Sequence, residues 1–282
     1  MKTIAHLSDL HFGRINLEVA EALLDDLAAL RPSLVVISGD LVQRARRRHF
    51  RAASAFLERL PAPWLVVPGN HDIPAYDLLS RFTAPFRNYK HYITADLNPF
   101  LSDGEIAILG INTARPLILN FAHGRINHKQ ISRIEAAFRG VPASVFKVVV
   151  THHPFLPPPG VDGKALLGRA RLALPALEAC GVDLLLAGHW HRSFSGDIAD
   201  HHQQIERSIL VAHAATATST RLRNEPNSYN FITVAPPQVT FEERTWSGNT
   251  FAATERSSYT RSHHRWLAVT GSGATGPGGV QE

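Results

Sequence analysis

The chain has 282 residues, 44% of them hydrophobic and 19% charged, which gives enough apolar content for a real core and argues against wholesale disorder. Its single cysteine, Cys180, excludes an intrachain disulfide and a thiolate metal cluster, leaving Asp, Asn and His as available ligands. A formal charge of +5 suits an anionic ligand but is too mild to establish nucleic-acid binding.

The opening MKTIAHLSDLH places His and Asp where a secretion signal needs an uninterrupted apolar segment. No run approaches the roughly 18 apolar residues of a membrane span, so a cytoplasmic protein without membrane insertion is expected. Residues 3–8, TIAHLS, read as a first buried strand. Val19, Leu23, Leu27 and Leu30 recur at helical spacing within 18–30, and Pro32 closes that helix. LVVIS at 34–38 reads as the second strand, 49–60 as the second helix and WLVVP at 64–68 as the third strand. This alternation predicts a mostly parallel sheet with helices on its faces, an α/β sandwich. Strands are expected again at 106–111, 145–151 and 183–187, and helices at 128–138 and 166–180, the latter bent or interrupted at Pro175. The C-terminal stretches 204–214, 229–235 and 238–246 read as hairpin-forming strands. They are expected in the outer part of a second sheet or at a dimer edge, with Tyr229, Phe231 and Phe241 in the core. The Gly-rich 271–282 reads as a flexible tail, which leaves 1–270 as a single domain.

Polar residues cluster just past the end of each apolar strand. The first strand is succeeded by Asp9-Leu10-His11, the second by Gly39-Asp40 and the third by Gly69-Asn70-His71-Asp72. The 145–151 strand runs into His152-His153-Pro154, and the 183–187 strand into Gly188-His189-Trp190-His191. Each motif alone is an ordinary turn or cap. Together they deliver polar groups to the edge where the C-terminal strand ends of an α/β sheet form a crevice. Side chains two apart in an extended segment, as in DxH and HxH, lie on one side. Their oxygen and nitrogen donors suit Mn, Fe, Zn, Co or Ni better than a dedicated Ca or Mg cage. Seven candidate ligands exceed one tetrahedral ion and suit a pair sharing a carboxylate, the arrangement that clamps both oxygens of a phosphoryl displacement.

The series DLH, GDLV, GNHD, HHP and GHWH, spanning residues 9–191, resembles the calcineurin-like metallophosphoesterases. The resemblance implies a four-layer α/β/β/α sandwich with a dinuclear site of two Mn, Fe or Zn ions at the C-terminal strand ends. It implies that Asp9, His11, Asp40 and His191 hold one ion, that Asp40 bridges, and that Asn70, His152 and His189 complete the second. His71 matches the family's imidazole near the scissile phosphate, with Asp72 orienting or polarising it. A hydroxide bridging the ions would attack phosphorus in line, and His71 would stabilise charge or protonate the leaving oxygen.

The whole pattern, with GINTARP at 110–116 and GRINHKQISRI at 124–134, is most similar to the bacterial cyclic-nucleotide and glycerophosphodiester phosphodiesterases. Many members of that branch carry other residues in place of Asn112-Thr113 and an acid in place of Gln43, which weakens transfer of substrate identity. The expected function is hydrolysis of a small phosphodiester. A phosphomonoesterase is the rival reading; a nuclease and a non-catalytic scaffold on the same fold are further alternatives. Nucleic acid is not the expected partner, and a homodimer has no direct sequence support. Arg44 and the run Arg46-Arg47-Arg48 read as a solvated face or as a phosphate contact, and His153 as packed beneath Pro154 or turned toward substrate.

Overall fold

A computed structural model describes residues 1–116, 122–158, 167–201, 205–223 and 225–269; the expected tail at 271–282 lies outside them. Strand β1 (Lys2–Leu7) leads into helix α1 (Leu17–Leu30), followed by β2 (Leu34–Ile37), α2 (Arg47–Leu57) and β3 (Trp64–Val66). These three strands are parallel neighbours. Asn16 caps α1, its side-chain oxygen accepting from the Glu18 N–H at 3.1 Å, and the helix ends where Arg31 turns left-handed at φ 49. Two short helices, α3 (Leu78–Thr83) and α4 (Arg87–Tyr92), then lead to the second sheet.

That sheet contains β4 (Phe100–Ser102), β5 (Ile106–Gly110), β6 (Phe146–Val150), β7 (Leu184–Ala187), β8 (Phe194–Asp197) and β9 (Leu210–His213). Helix α5 (His128–Phe138) joins β5 to β6, and α6 (Ala170–Ala179) joins β6 to β7. The order is β4-β5-β6-β7-β9-β8, parallel through the middle, with an antiparallel strand at each edge. Helix α6 starts later than expected and is unbroken at Pro175, which in the second turn forfeits a single backbone donor.

The last four strands, β10 (Ser228–Ala235), β11 (Gln238–Trp246), β12 (Phe251–Ser262) and β13 (Arg265–Ala268), return to the first sheet. Its order is β13-β12-β11-β10-β1-β2-β3. Of the stretches expected in the outer part of a second sheet, 204–214 supplies β9 there, while 229–235 and 238–246 belong to the first sheet, which corrects the expectation for those two. Strand β10 pairs antiparallel with β1, Ile4 opposite Ile232, because its buried Ile232 and Val234 must face the apolar layer that Ile4 also faces.

Three apolar layers define the sandwich. Between the sheets lie Ile4, Val36, Ile108, Val148 and Leu186, with Phe241 also buried there. Leu7, Val35 and Ile37 face outward from the first sheet onto Leu23 and Leu27 of α1 and Phe50 of α2, and Tyr229 is buried in the same layer. Leu109, Val149 and Leu185 face outward from the second sheet onto Ile134 of α5 and Leu174 and Leu177 of α6. The layers are therefore α/β/β/α. The loops after β1, β2, β3, β6 and β7 meet at one rim, where the His189 N–H donates to Asp9 Oδ2 at 2.9 Å across the two sheets.

Candidate metal centre

The rim begins with backbone shape. Asp9, His11, Asp40, His189 and His191 all adopt left-handed conformations, with φ of 52, 52, 53, 76 and 56. Residues with a Cβ rarely sit there, and such backbones persist only where neighbours over-determine them. Here the ladder between β1 and β2 continues past the strand ends: the Asp9 N–H donates to the Gly39 carbonyl at 3.1 Å and the His11 N–H to the Asp40 carbonyl at 3.0 Å. Two glycines permit the close approach of the loops. A Cβ at Gly69 would lie 2.1 Å from Asp40 Oδ1, and one at Gly188 would lie 1.7 Å from Ser8 Oγ.

The side chains then converge. Asp9, His11 and His191 form one buried group of potential ligand atoms lying within 4.8 Å of one another. Asp9 Oδ1 lies 3.1 Å from His191 Nε2 and 3.5 Å from His11 Nε2, and the two imidazole Nε2 atoms face each other at 3.1 Å. His191 donates its Nδ1–H to the Arg221 carbonyl at 3.0 Å, which turns the Nε2 lone pair inward. Asp9, Asp40 and His152 form a second group, and His152, His153 and His189 a third that shares His152 with it. Asp40 Oδ2 lies 3.5 Å from His152 Nε2 and 3.9 Å from His11 Nε2, so one oxygen faces both centres. His152 donates Nδ1–H to the Ser38 carbonyl at 2.8 Å, and its Nε2 faces Asn70 Oδ1 at 3.1 Å and His189 Nδ1 at 3.3 Å.

These contacts test whether metal ions fit. Asp9 Oδ1 is a fully buried acceptor with no donor among the described residues. His152 Nε2 faces both Asn70 Oδ1 at 3.1 Å and Asp40 Oδ2 at 3.5 Å, so a cation that replaces the proton on this nitrogen finds its donors already gathered. The donors are imidazole nitrogens and carboxylate or amide oxygens, the chemistry of a transition-metal site. Two buried Asp/His centres of this kind make a candidate dinuclear site, and the residues fit it.

Protonation reflects the same crowding. Burial opposes ionisation of Asp9, yet His191, His11 and His152 hold it well below the ordinary carboxylate range. Asp40 is likewise held far down against burial by His152, His71 and His11. Burial keeps His11 below its usual value and, with His152, presses His189 down to about 3. Against the same burial, Asp40 and Asp9 lift His152 to about 9, and Asp9 raises His191. Each centre thus favours positive charge.

His71 sits at the mouth. Its N–H donates to Asp40 Oδ1 at 2.8 Å, and its ring Nδ1–H donates to the Gln43 carbonyl at 2.9 Å. That tautomer leaves Nε2 facing the cleft, 4.0 Å from Asp40 Oδ2 and 3.4 Å from the Arg221 guanidinium. Asp72 does not reach the ring as expected. Its carboxylate accepts from the N–H groups of Gly69 at 2.8 Å, Val42 at 3.0 Å and Leu41 at 3.3 Å, bracing the loops after β2 and β3, while Gln43 holds His71 instead. Burial and Asp40 push Asp72 up to about 7. His153 is fully buried in the third group, with Nδ1 2.8 Å from Thr113 Oγ1 and its ring 4.8 Å from that of His189. Asn112 serves its own turn, its side-chain oxygen accepting from the Ala114 N–H at 3.0 Å. Sequence reasoning missed Arg221, which lies in an irregular stretch without strand or helix periodicity.

A family model described as calcineurin-like phosphoesterase matches residues 2–193. The glycerophosphodiester phosphodiesterase GpdQ of Enterobacter lignolyticus (strain SCF1) is 29% identical over 168 residues, 55% of this chain and 57% of that protein, so the match spans little more than half of that relative's length. The structure is similar to that of the purple acid phosphatase PPD1 from yellow lupin (Lupinus luteus) seeds, with a TM-score of 0.72, 11% identity, and coverage of 93% of this chain and 54% of that one. It is also similar to a dimetal phosphatase from Danio rerio, with a TM-score of 0.61, 14% identity, and coverage of 86% and 96%. At these identities the solved structures speak to the fold. Among the described residues no helix is long and apolar enough to cross a membrane.

Proposed function

The chain belongs to the calcineurin-like phosphoesterase family, and from that premise we propose that it is a metal-dependent phosphodiesterase acting on a small diester such as a glycerophosphodiester or a cyclic nucleotide. The observation that carries the reading is the orphaned, buried Asp9 Oδ1 set against His11 and His191, with Asp40 Oδ2 facing both this centre and His152. In this proposal Asp9, His11, Asp40 and His191 hold one transition-metal ion, and Asp40, Asn70, His152 and His189 hold the other. Bound there, such ions supply a nucleophile at neutral pH and neutralise charge on the phosphoryl oxygens.

The remaining work belongs to the chain. Ser38 and Arg221 fix the tautomers of His152 and His191 through their carbonyls. Gln43 fixes that of His71, whose Nε2 is placed to donate to a phosphoryl oxygen or to the departing alkoxide once protonated. The diester preference is supported by the partial similarity to the glycerophosphodiester phosphodiesterase.

The test is hydrolysis of bis(p-nitrophenyl) phosphate and p-nitrophenyl phosphate in parallel after Mn addition, with Asp40→Asn alongside. Preferential turnover of the diester, lost in the variant, supports the reading. Preference for the monoester replaces it with a phosphomonoesterase, and absence of metal-dependent turnover of both removes it.

A further inference from the structure

Beside His71 a cavity of about 520 Å3 opens between the loop after β1 and the start of α2. Arg14, Arg44, Arg46, Arg48 and Arg221 line it together with Gln43, and no carboxylate does. Six arginines elsewhere in the described chain form ion pairs: Arg59 with Glu21, Arg133 with Asp96, Arg192 with Glu225, Arg207 and Arg261 with Asp183, and Arg244 with Asp26. Among the described residues none of the five in the cavity has a carboxylate within 4.0 Å; the Arg44 guanidinium lies 5.2 Å from the centre of the Tyr76 ring, and the Arg48 Nε–H donates to His49 at 3.3 Å.

The setting adds to that charge. Helix α2 begins at Arg47 with no side-chain cap and no acid in its first turn, so its positive end carries further cations. The field is felt locally: burial, and then Arg48, Arg46 and Arg44, hold His49 below its ordinary value despite a hydrogen bond to the Arg44 carbonyl. Unpaired guanidiniums gathered in one concavity repel one another, and an anion that spans them relieves that repulsion. Guanidinium forks match phosphate oxygens in shape as well as charge.

Gln43 and Arg221 join the lining of the cavity to the candidate metal centre. Arg221 reaches Gln43 Oε1 at 3.1 Å and His71 Nε2 at 3.4 Å, and its own carbonyl holds His191. We propose that this arginine-lined cavity binds a second phosphate of the substrate, so that the preferred substrate is a phosphodiester carrying a further phosphate close to the scissile one. This deepens the phosphodiesterase reading and rests on it. Arg221, at the junction, lies between the two phosphates and contacts both.

The test titrates phosphorothioate-linked dithymidine, with and without a 5′-phosphate, calorimetrically into the Mn-loaded full chain. The wild type is expected to bind the 5′-phosphorylated ligand at least tenfold more tightly, a ratio that shrinks as salt is raised. In Arg46→Ala/Arg48→Ala the ratio falls toward one; in Arg59→Ala, whose arginine pairs with Glu21 away from the cavity, it stays at the wild-type value. Thermal unfolding of each variant checks that it is folded. Equal or absent binding of the two ligands by the wild type, or a ratio preserved in the double variant, overturns the proposal. Hydrolysis of bis(p-nitrophenyl) phosphate, run alongside, separates the two readings: turnover without the tenfold ratio removes the cavity alone, and the ratio without turnover removes the phosphodiesterase alone.

Discussion

Replacing Asp40 by Asn keeps the shape of a side chain whose two oxygens have different duties, one accepting the His71 N–H and the other facing both centres. It removes the negative charge that holds a cation there. Asp40→Asn is therefore expected to lose both metal, read by elemental analysis, and turnover. His71→Ala should separate the two, because its ring lies at the mouth and not between the clusters. Metal content stays at the wild-type level while turnover falls by about 10²–10⁴-fold, the usual range for a positioned proton donor. Wild-type turnover in that variant would remove His71 from the chemistry. At this scale the sequence was readable wherever a short motif succeeded a strand. Asp9, His11, Asp40, Asn70, His152, His189 and His191 are gathered at one rim. Arg221 was hidden because it lies far along the chain in an irregular stretch yet reaches Gln43 and His71, and the role of Asp72 was misread because its buried carboxylate accepts from backbone N–H groups and does not reach the ring.

Elements were legible in proportion to their burial. Strands β5, β6 and β7 are buried throughout, and their apolar runs mark them within a residue or two. Strand β12 runs for 12 residues but is mostly exposed or half-buried, so no apolar alternation announces it. The short helices α3 and α4 and the strands β4 and β8 are three to six residues long, too brief for a period to repeat. Caps can be weighed individually. Asn16 accepts from two N–H groups at the start of α1, and Asn16→Ala should lower stability by about 1 kcal/mol. Urea unfolding measures it, and an unchanged midpoint would mean that the packing of Leu23 and Leu27 alone holds the helix.

The molecule as a whole carries a pH dependence seated in two buried histidines that are not among the candidate ligands. His6 and His213 are fully buried; burial, joined for His6 by His213, presses both down to about 3. His6 is fixed neutral by donating to Ser38 Oγ at 2.9 Å while Asn230 donates to its other nitrogen at 3.4 Å. Unfolding returns both histidines to an ordinary value near 6.5, so between about pH 3 and pH 6.5 the unfolded chain binds more protons. Stability therefore rises with pH across that window and is lost as pH falls through it, by up to about 1.4 kcal/mol per unit for each histidine. His213→Phe should flatten the slope between about pH 5 and pH 6.5 by up to that amount, measured by urea unfolding at a series of pH values. An unaltered slope would place the acid sensitivity elsewhere.

Asp9 and His189 lie 180 positions apart in the chain, one on a loop from each sheet, yet their loops touch. Ions held as proposed therefore act as a removable rivet through the seam of the sandwich, closing a loop that spans most of the described chain. Ions that bind the folded rim and not the unfolded chain stabilise the fold by mass action. A chelator should accordingly lower the melting temperature, and amide exchange at the ends of β1 and β7 should quicken together while the interior of α5 keeps its rate. Exchange that quickens on one sheet alone would mean that the rivet passes through a single plate.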